Sequence, residues 1–467
     1  MKLTKENTTK AYTTTQNACK LCSPLGASLV FKGIRNCIPL IHGSQGCATY
    51  IRRYLISHFR EPMDIASSNF SEDATIFGGN KLFNEGINNV IRTYNPEVIG
   101  IASTCLSETI GEDIPKLIYE YRKINKEIPN MPAFINASTP SYAGTHAEGF
   151  HEAVFAMVKA LASPTVSHAA ANLFPGLVSP EDIRYLKELF ASFWLPVTVM
   201  PDYSETLDNP TWNEYKNMPE GGTGVEEIKK STGALASIEL GEVFNKGWFS
   251  GKVSKASKLK TAGEYLQDEY SVPLFQTPLP IGIKLTDALV NILKNVSGNE
   301  LPEDHRKERG RLIDAYIDAH KITFGKKAII YGEEDFVISM AAFLSEIGIK
   351  TVLAASGGES KRLATAIHHY ADNSDDMVIG AGWDFEQINE AALSLKPDII
   401  IGNSKGYYIS RKLNIPLVRV GFPIHDRVGA QRVLHLGYRG TQHLFDRIVN
   451  ALLEHRQDNS SVGYKYM

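Results

Sequence analysis

Three cysteines stand where a thiol is available for chemistry. Cys47 closes the turn His42-Gly43-Ser44-Gln45-Gly46, whose two glycines and serine let the backbone turn sharply and approach a ligand closely. Cys105 ends the apolar run Val98-Ile99-Gly100-Ile101-Ala102, and Cys22 opens the turn Ser23-Pro24-Leu25-Gly26. Three thiolates are one short of the four ligands that close a structural zinc site. They suit one half of an iron–sulfur cluster whose other ligands come from a second chain. Ser141 stands past the next strand; its alkoxide is a harder ligand than a thiolate and favours a more oxidised iron. The competing readings are thiols that fill core space and a zinc-stabilised interaction protein built on Cys19 and Cys22.

Such thiols need a scaffold that presents them at one edge. The run Glu97 to Cys105 reads as a buried parallel strand delivering its cysteine at the carboxyl end, where open parallel α/β sheets collect functional groups. Asn36 to Ile41 reads as a strand leading to Cys47, and Pro132 to Asn136 as one leading to Ser141. Helices are expected over Leu25 to Ile34, Ala48 to Phe59, Asn80 to Tyr94 and Gly149 to Leu161, with Ser71 as a cap. Further strands are expected near Thr165 to Ser167, Pro196 to Met200 and Ala234 to Ile238, and helices over Pro180 to Phe193 and Asp304 to His320. A last series of strands begins at Lys327, Thr351, Met377, Pro397 and Pro416. Strand and helix alternate without hairpin signals, which predicts an α/β fold of parallel sheets flanked by helices. The length accommodates three units: an N-terminal arm at 1–18, then 19–160, 161–325 and 326–467.

Composition narrows the function. The chain has 467 residues, 43% hydrophobic and 22% charged, with net charge −3. That balance gives no reason to expect nucleic-acid or membrane-surface binding, and no apolar run reaches the length of a membrane helix. All five cysteines fall in the first quarter, an odd number without a signal-peptide pattern, which points to the cytoplasm and to local metal or redox chemistry. Gly332-Glu333-Glu334-Asp335 and Gly402-Asn403-Ser404-Lys405-Gly406 satisfy no nucleotide-binding pattern, and the acidic run would repel a phosphate.

Several motifs in order also resemble one family. Cys22-Ser23-Pro24-Leu25-Gly26-Ala27, His42-Gly43-Ser44-Gln45-Gly46-Cys47, His58-Phe59-Arg60-Glu61-Pro62, Phe77-Gly78-Gly79, Ser103-Thr104-Cys105-Leu106-Ser107-Glu108-Thr109, Thr139-Pro140-Ser141-Tyr142 and Gly421-Phe422-Pro423-Ile424-His425-Asp426-Arg427 are similar to the β subunit of nitrogenase component 1. The likeness is dense before residue 150 and looser between about 160 and 300. It is clear again from Glu308-Arg309-Gly310-Arg311 to Gly440.

The resemblance implies three Rossmann-like domains and an α2β2 enzyme that reduces dinitrogen to ammonia. It implies that Cys22, Cys47 and Cys105 bind half of an 8Fe-7S P-cluster shared with the α subunit, and that Ser141 joins an iron when the cluster is oxidised. It places Tyr50 between that cluster and the partner's cofactor, and Phe77 near the surface where the ATP-driven iron protein docks. Glu61, Asp314 and Asp318 match carboxylates for a divalent cation between two β subunits. In this reading the subunit relays electrons and makes no bonds itself; ATP belongs to the iron protein, which agrees with the missing P-loop. Cys19 and Cys37 match no ligand of the family. Vanadium and iron-only nitrogenases and nitrogenase-like reductases of organic sulfur compounds share the cysteine set. A cofactor-assembly scaffold resembles the chain at Gly437-Tyr438-Arg439-Gly440-Thr441 but usually lacks the third cysteine.

Overall fold

A computed structural model describes residues 18–214, 216–244, 260–372 and 374–462. The expected arm, apart from Ala18, lies outside them. Three parallel sheets follow one another along the chain. The first holds β1 (Cys37–His42), β2 (Ala66–Ser67), β3 (Val98–Ser103) and β4 (Ala133–Ala137) in the order β2-β1-β3-β4. The second holds β5 (Ala171–Phe174), β6 (Val197–Val199), β7 (Ala236–Leu240) and β8 (Leu274–Thr277) in the order β6-β5-β7-β8. The third holds β9 (Lys327–Tyr331), β10 (Lys350–Ser356), β11 (Val378–Ala381), β12 (Ile399–Gly402) and β13 (Leu417–Arg419) in the order β11-β10-β9-β12-β13.

Every residue of β1 and β3 is buried, as parallel strands covered on both faces must be. In the first unit the helices are α1 (Ser23–Lys32), α2 (Gln45–Phe59), α3 (Glu72–Phe77), α4 (Asn80–Tyr94), α5 (Cys105–Thr109), α6 (Ile114–Ile124) and α7 (His146–Leu161). All ten residues of α1 are buried. A side chain at Gly100 would meet the Phe31 ring at 2.3 Å, so glycine in β3 is what lets α1 lie on the sheet. The other side of α1 meets α7 at glycines: a Cβ on Gly26 would sit 1.8 Å from His146 O, and one on Gly149 2.0 Å from Ser23 O. This backbone-to-backbone approach sets the position of Cys22, one residue before α1.

The expected strand at Thr165 to Ser167 is irregular chain, and the strand is Ala171–Phe174. Pro164 precedes the mistaken segment, Val166 is 83% exposed, and the apolar burial begins only at Ala171. Beyond the expected elements are β8 and the helices Ile283–Ser297 and Gly437–Asp458. The helix expected at Asp304 to His320 spans Glu303–Thr323. Among the described residues no helix is long and apolar enough to cross a membrane.

Candidate metal centre

β1, β3 and β4 are neighbours, with His42 level with Ser103 and Ala102 level with Ala137. Their carboxyl ends therefore open side by side, and each leads to a predicted ligand. After β1, Ser44 caps α2 by accepting from Gly46 N, and Cys47 lies in the first turn. After β3, Thr104 caps α5, whose first residue is Cys105. After β4 the chain reaches Ser141. Cys22 arrives from outside the sheet as the residue before α1. All three thiols thus stand at helix amino ends.

The contacts draw the four residues together. Ser141 N–H donates to Cys105 Sγ at 3.2 Å, and Ser141 Oγ accepts from Ser23 N–H at 3.2 Å. The Tyr50 hydroxyl is hydrogen-bonded to Cys22 and Tyr54, and burial followed by the Cys22 charge pushes its pKa upward. Burial also raises the Cys47 thiol, and the charges of Cys22 and then Cys105 raise it further, against a lowering hydrogen bond from Ser44. Three thiolates at this edge therefore repel one another until a cation lies among them. Cys22 and Cys47 are half-buried, and Cys105 is exposed. Among the described residues no three His, Cys, Asp or Glu side chains converge as they would on a single ion. The donor set fits a soft, multi-iron group spread between the thiols better than one zinc.

The other two cysteines are elsewhere. Cys19 packs with Ile329, Tyr331 and Leu353 in the third unit, and Cys37 is buried in the first. Burial pushes both thiols up to about 12. Cys19 and Cys22 therefore face different surroundings, which removes the basis for a zinc pair.

The turn before Cys47 is held from three sides. Gly43 N–H donates to Ser68 Oγ at 3.0 Å, Thr104 Oγ1 donates to His42 O at 3.1 Å, and a Cβ on Gly43 would come within 2.2 Å of Thr104 Oγ1. His42 is buried; its Nδ1 meets Ser68 Oγ at 3.2 Å and its Nε2 faces Glu112 at 3.6 Å. Glu112 also accepts from Gly79 N–H at 2.6 Å, joining the turn after α3 to this edge.

Behind Cys22 lies a pairing that sequence reasoning missed. Leu21 N–H donates to His146 Nδ1 at 3.2 Å, and His146 N–H donates to Leu21 O at 3.1 Å. With Nδ1 accepting, Nε2 carries the ring proton. Nε2 lies 2.7 Å from Glu333 Oε1, close but out of line for a full hydrogen bond. Glu333 belongs to the acidic run after β9, so the third unit reaches the residue beside Cys22. The same run lines a cavity at the junction of the units with His58, Asp182, Tyr203 and His435. There Asp182 accepts from His435 Nδ1 at 2.8 Å and from three backbone N–H groups; burial alone would raise its pKa, but these partners hold it below the usual range. No local motif marks these pairs, because their members are far apart in the chain.

The remaining predicted residues do not join the cysteines. Phe77 ends α3, and its side chain lies outside the described ones. Asp314 and Asp318 are exposed one turn apart on the helix Glu303–Thr323. Glu61 is half-buried, accepts from Asn209 N–H at 3.1 Å, and is raised by burial and by Asp208.

Comparison with known proteins gives a consistent answer. The model of a family described as nitrogenase component 1 type oxidoreductase matches residues 22–453. The chain is similar to the nitrogenase molybdenum-iron protein β chain of Clostridium pasteurianum, 35% identical over 448 residues, covering 94% of this chain and 93% of the other. It is also similar to the nitrogenase vanadium-iron protein β chain of Trichormus variabilis, 33% identical, covering 94% of each. A solved structure of nitrogenase Cp1 at pH 6.5 superposes with TM-score 0.92 at 33% identity over 99% of this chain and 98% of that one.

Proposed function

Since the chain belongs to the nitrogenase component 1 type oxidoreductases, on the β-chain side of that family, we propose that it passes electrons from an ATP-driven iron protein toward a cofactor in an α-type partner. Cys22, Cys47 and Cys105 would hold half of an 8Fe-7S P-cluster, with the partner supplying the rest. When bound, that cluster supplies one-electron redox steps. The observation carrying this reading is that Cys47, Cys105 and Ser141 follow neighbouring strand ends and that Ser141 bridges Cys105 and the residue after Cys22. A closed structural site would finish its own ligand set; this one is left open at the surface.

The chain's own residues then have distinct tasks. The helix amino ends position the three sulfurs at one edge. Tyr50 sits half-buried against Cys22. Ser141 keeps its backbone N–H on Cys105 Sγ and its hydroxyl oxygen on Ser23 N–H, and that hydroxyl would add an oxygen ligand on oxidation. Phe77 would lie at the iron protein's docking surface. Glu61 of one β chain with Asp314 and Asp318 of another would bind a divalent cation in an α2β2 assembly. The unit boundaries near 160 and 325 and a cytoplasmic location belong to the same proposal.

Likeness to both molybdenum and vanadium β chains leaves the heterometal to the partner chain. The test is iron content and low-temperature EPR of the anaerobically purified complex with Cys105→Ala. The expected result is loss of cluster iron and at least a hundredfold fall in electron delivery. Full iron content and activity in that variant would overturn the assignment. Metal analysis of the wild-type complex identifies the heterometal.

A further inference from the structure

A cavity of about 380 Å³ opens between β13, the loop from Ile424 to Val433, and the helix Gly437–Asp458. It lies in the third unit and uses none of the cysteine site. Three arginines line it: Arg419, Arg427 and Arg447. The one aspartate nearby is already committed. Asp426 takes Arg419 Nε at 2.9 and 2.8 Å on its two oxygens, lies 3.5 Å from Arg427, and accepts the Ser404 hydroxyl.

Arg447 is left over. Its guanidinium donates to the Arg419 carbonyl at 2.7 Å, and among the described residues no ion pair reaches it. Burial, followed by the neighbouring Arg419 charge, lowers its pKa. A half-buried guanidinium has five donors and a fork that matches a carboxylate. Leaving such a charge uncompensated is costly.

The far end of the cavity has the opposite character. Asn450 and Glu454 follow Arg447 on one face of the helix. Seven residues at about 1.5 Å each put Glu454 roughly 10 Å along the axis from Arg447, too far to neutralise it and well placed to repel a second anionic group. Leu417, Val418, Ile424 and Val433 add apolar lining, and Val428 stands 82% exposed at the loop.

We propose that this cavity binds a monocarboxylate with a short aliphatic tail, its carboxylate forked on Arg447 and its tail along the apolar lining. The ligand chemistry can be presented by a free aliphatic acid or by a carboxylate side chain of a partner subunit. The proposal is independent of the cluster reading.

The test is calorimetric titration of the purified complex with hexanoate, using 1-hexanol and sodium chloride at matched ionic strength as controls. A free-acid site gives saturable hexanoate binding that hexanol does not reproduce. Arg447→Gln should weaken it at least tenfold, and Arg447→Lys less. Glu454→Gln should improve binding of the dicarboxylate adipate several-fold. If hexanoate does not bind but Arg447→Gln raises the subunit dissociation constant at least tenfold, the carboxylate comes from the partner. The Arg447→Lys variant and the wild-type hexanol comparison keep the test usable if Arg447→Gln fails to fold. No saturable hexanoate binding together with unchanged subunit dissociation in both arginine variants overturns the proposal.

Discussion

The carboxyl edges of the first and third sheets are built from the same parts and face opposite ways. At the first edge, turns after β1 and β3 bring Cys47 and Cys105 to helix amino ends, half-buried or exposed. At the third, the turn after β9 brings Glu333 and Glu334 to the amino end of the helix Glu334–Glu346, against residues of all three units. The outward edge keeps soft donors and leaves them unfinished. The inward edge carries carboxyl groups that face His146 and a backbone donor inside the protein. Exposure separates the two: the first edge is open, whereas the edge that meets the other units is closed over.

The largest effect should come from breaking the link between the edges at its narrowest point. A methyl at Gly26 would meet the His146 carbonyl at 1.8 Å, backbone against backbone, with no flexible side chain to give way. Gly26→Ala is expected to destabilise the chain by about 3 kcal/mol, the upper end for overpacking, and to shift Cys22 with α1. Denaturant unfolding with iron analysis measures both. Wild-type stability would mean that α1 and α7 do not fix the ligand.

Glu333→Gln sharpens the comparison, because it removes the inward edge's charge without touching a thiol. His146 is 1% exposed, but its Nε2 makes no full hydrogen bond to lose and Gln keeps an acceptor there, so the cost should be under about 1 kcal/mol. Iron content should stay near normal, since the outward edge keeps its donors. A large loss of iron would show that the two edges are one cooperative site.

Acid and alkali probe the closed side in opposite directions. His58 is buried, and burial with the nearby His435 lowers its pKa to about 3. The unfolded chain therefore binds the extra proton between about 6.5 and 3, and stability falls as pH drops through that range, at about 1.4 kcal/mol per unit for one group. Glu334 is raised to about 8, first by burial. The folded chain holds its proton while the unfolded chain has lost it, so stability falls as pH rises from about 4.5 to 8. Glu334→Gln should leave stability at pH 5 nearly unchanged and raise it at pH 8 by about 1–3 kcal/mol. Equal unfolding midpoints for variant and wild type at pH 8 would refute the burial argument.

The outward edge was legible in the sequence and the inward edge was not. Buried parallel strands announce themselves as apolar runs, and glycine turns mark their ends, so the setting of Cys47 and Cys105 could be read locally. β8, Leu-Phe-Gln-Thr, is short and half-buried and gave no such run. Val166 looked like strand but belongs to an exposed connection after Pro164. The pairs His146–Glu333 and Asp182–His435 join separate units, and only the fold brings their members together. The acidic run at Glu333 was visible as charge, but its direction was not.

Ser141 offers the finest cut, because it belongs to the open edge yet makes contacts that water can replace. Its Oγ accepts Ser23 N–H at 3.2 Å from a half-buried position. Removing it should cost about 1 kcal/mol, because Ser141 is only half-buried and water can enter the space its hydroxyl leaves beside the buried Ser23 N–H. Its N–H bond to Cys105 Sγ is backbone and survives in Ser141→Gly. The variant should therefore assemble and hold iron like the wild type in the reduced state. A difference should emerge on oxidation, where a hard oxygen donor favours the higher iron charge. Redox titration followed by EPR reads this as a changed potential for the oxidised cluster. Identical oxidised spectra and potentials would remove Ser141 from the ligand set and leave it a hydrogen-bonding spacer between Cys22 and Cys105.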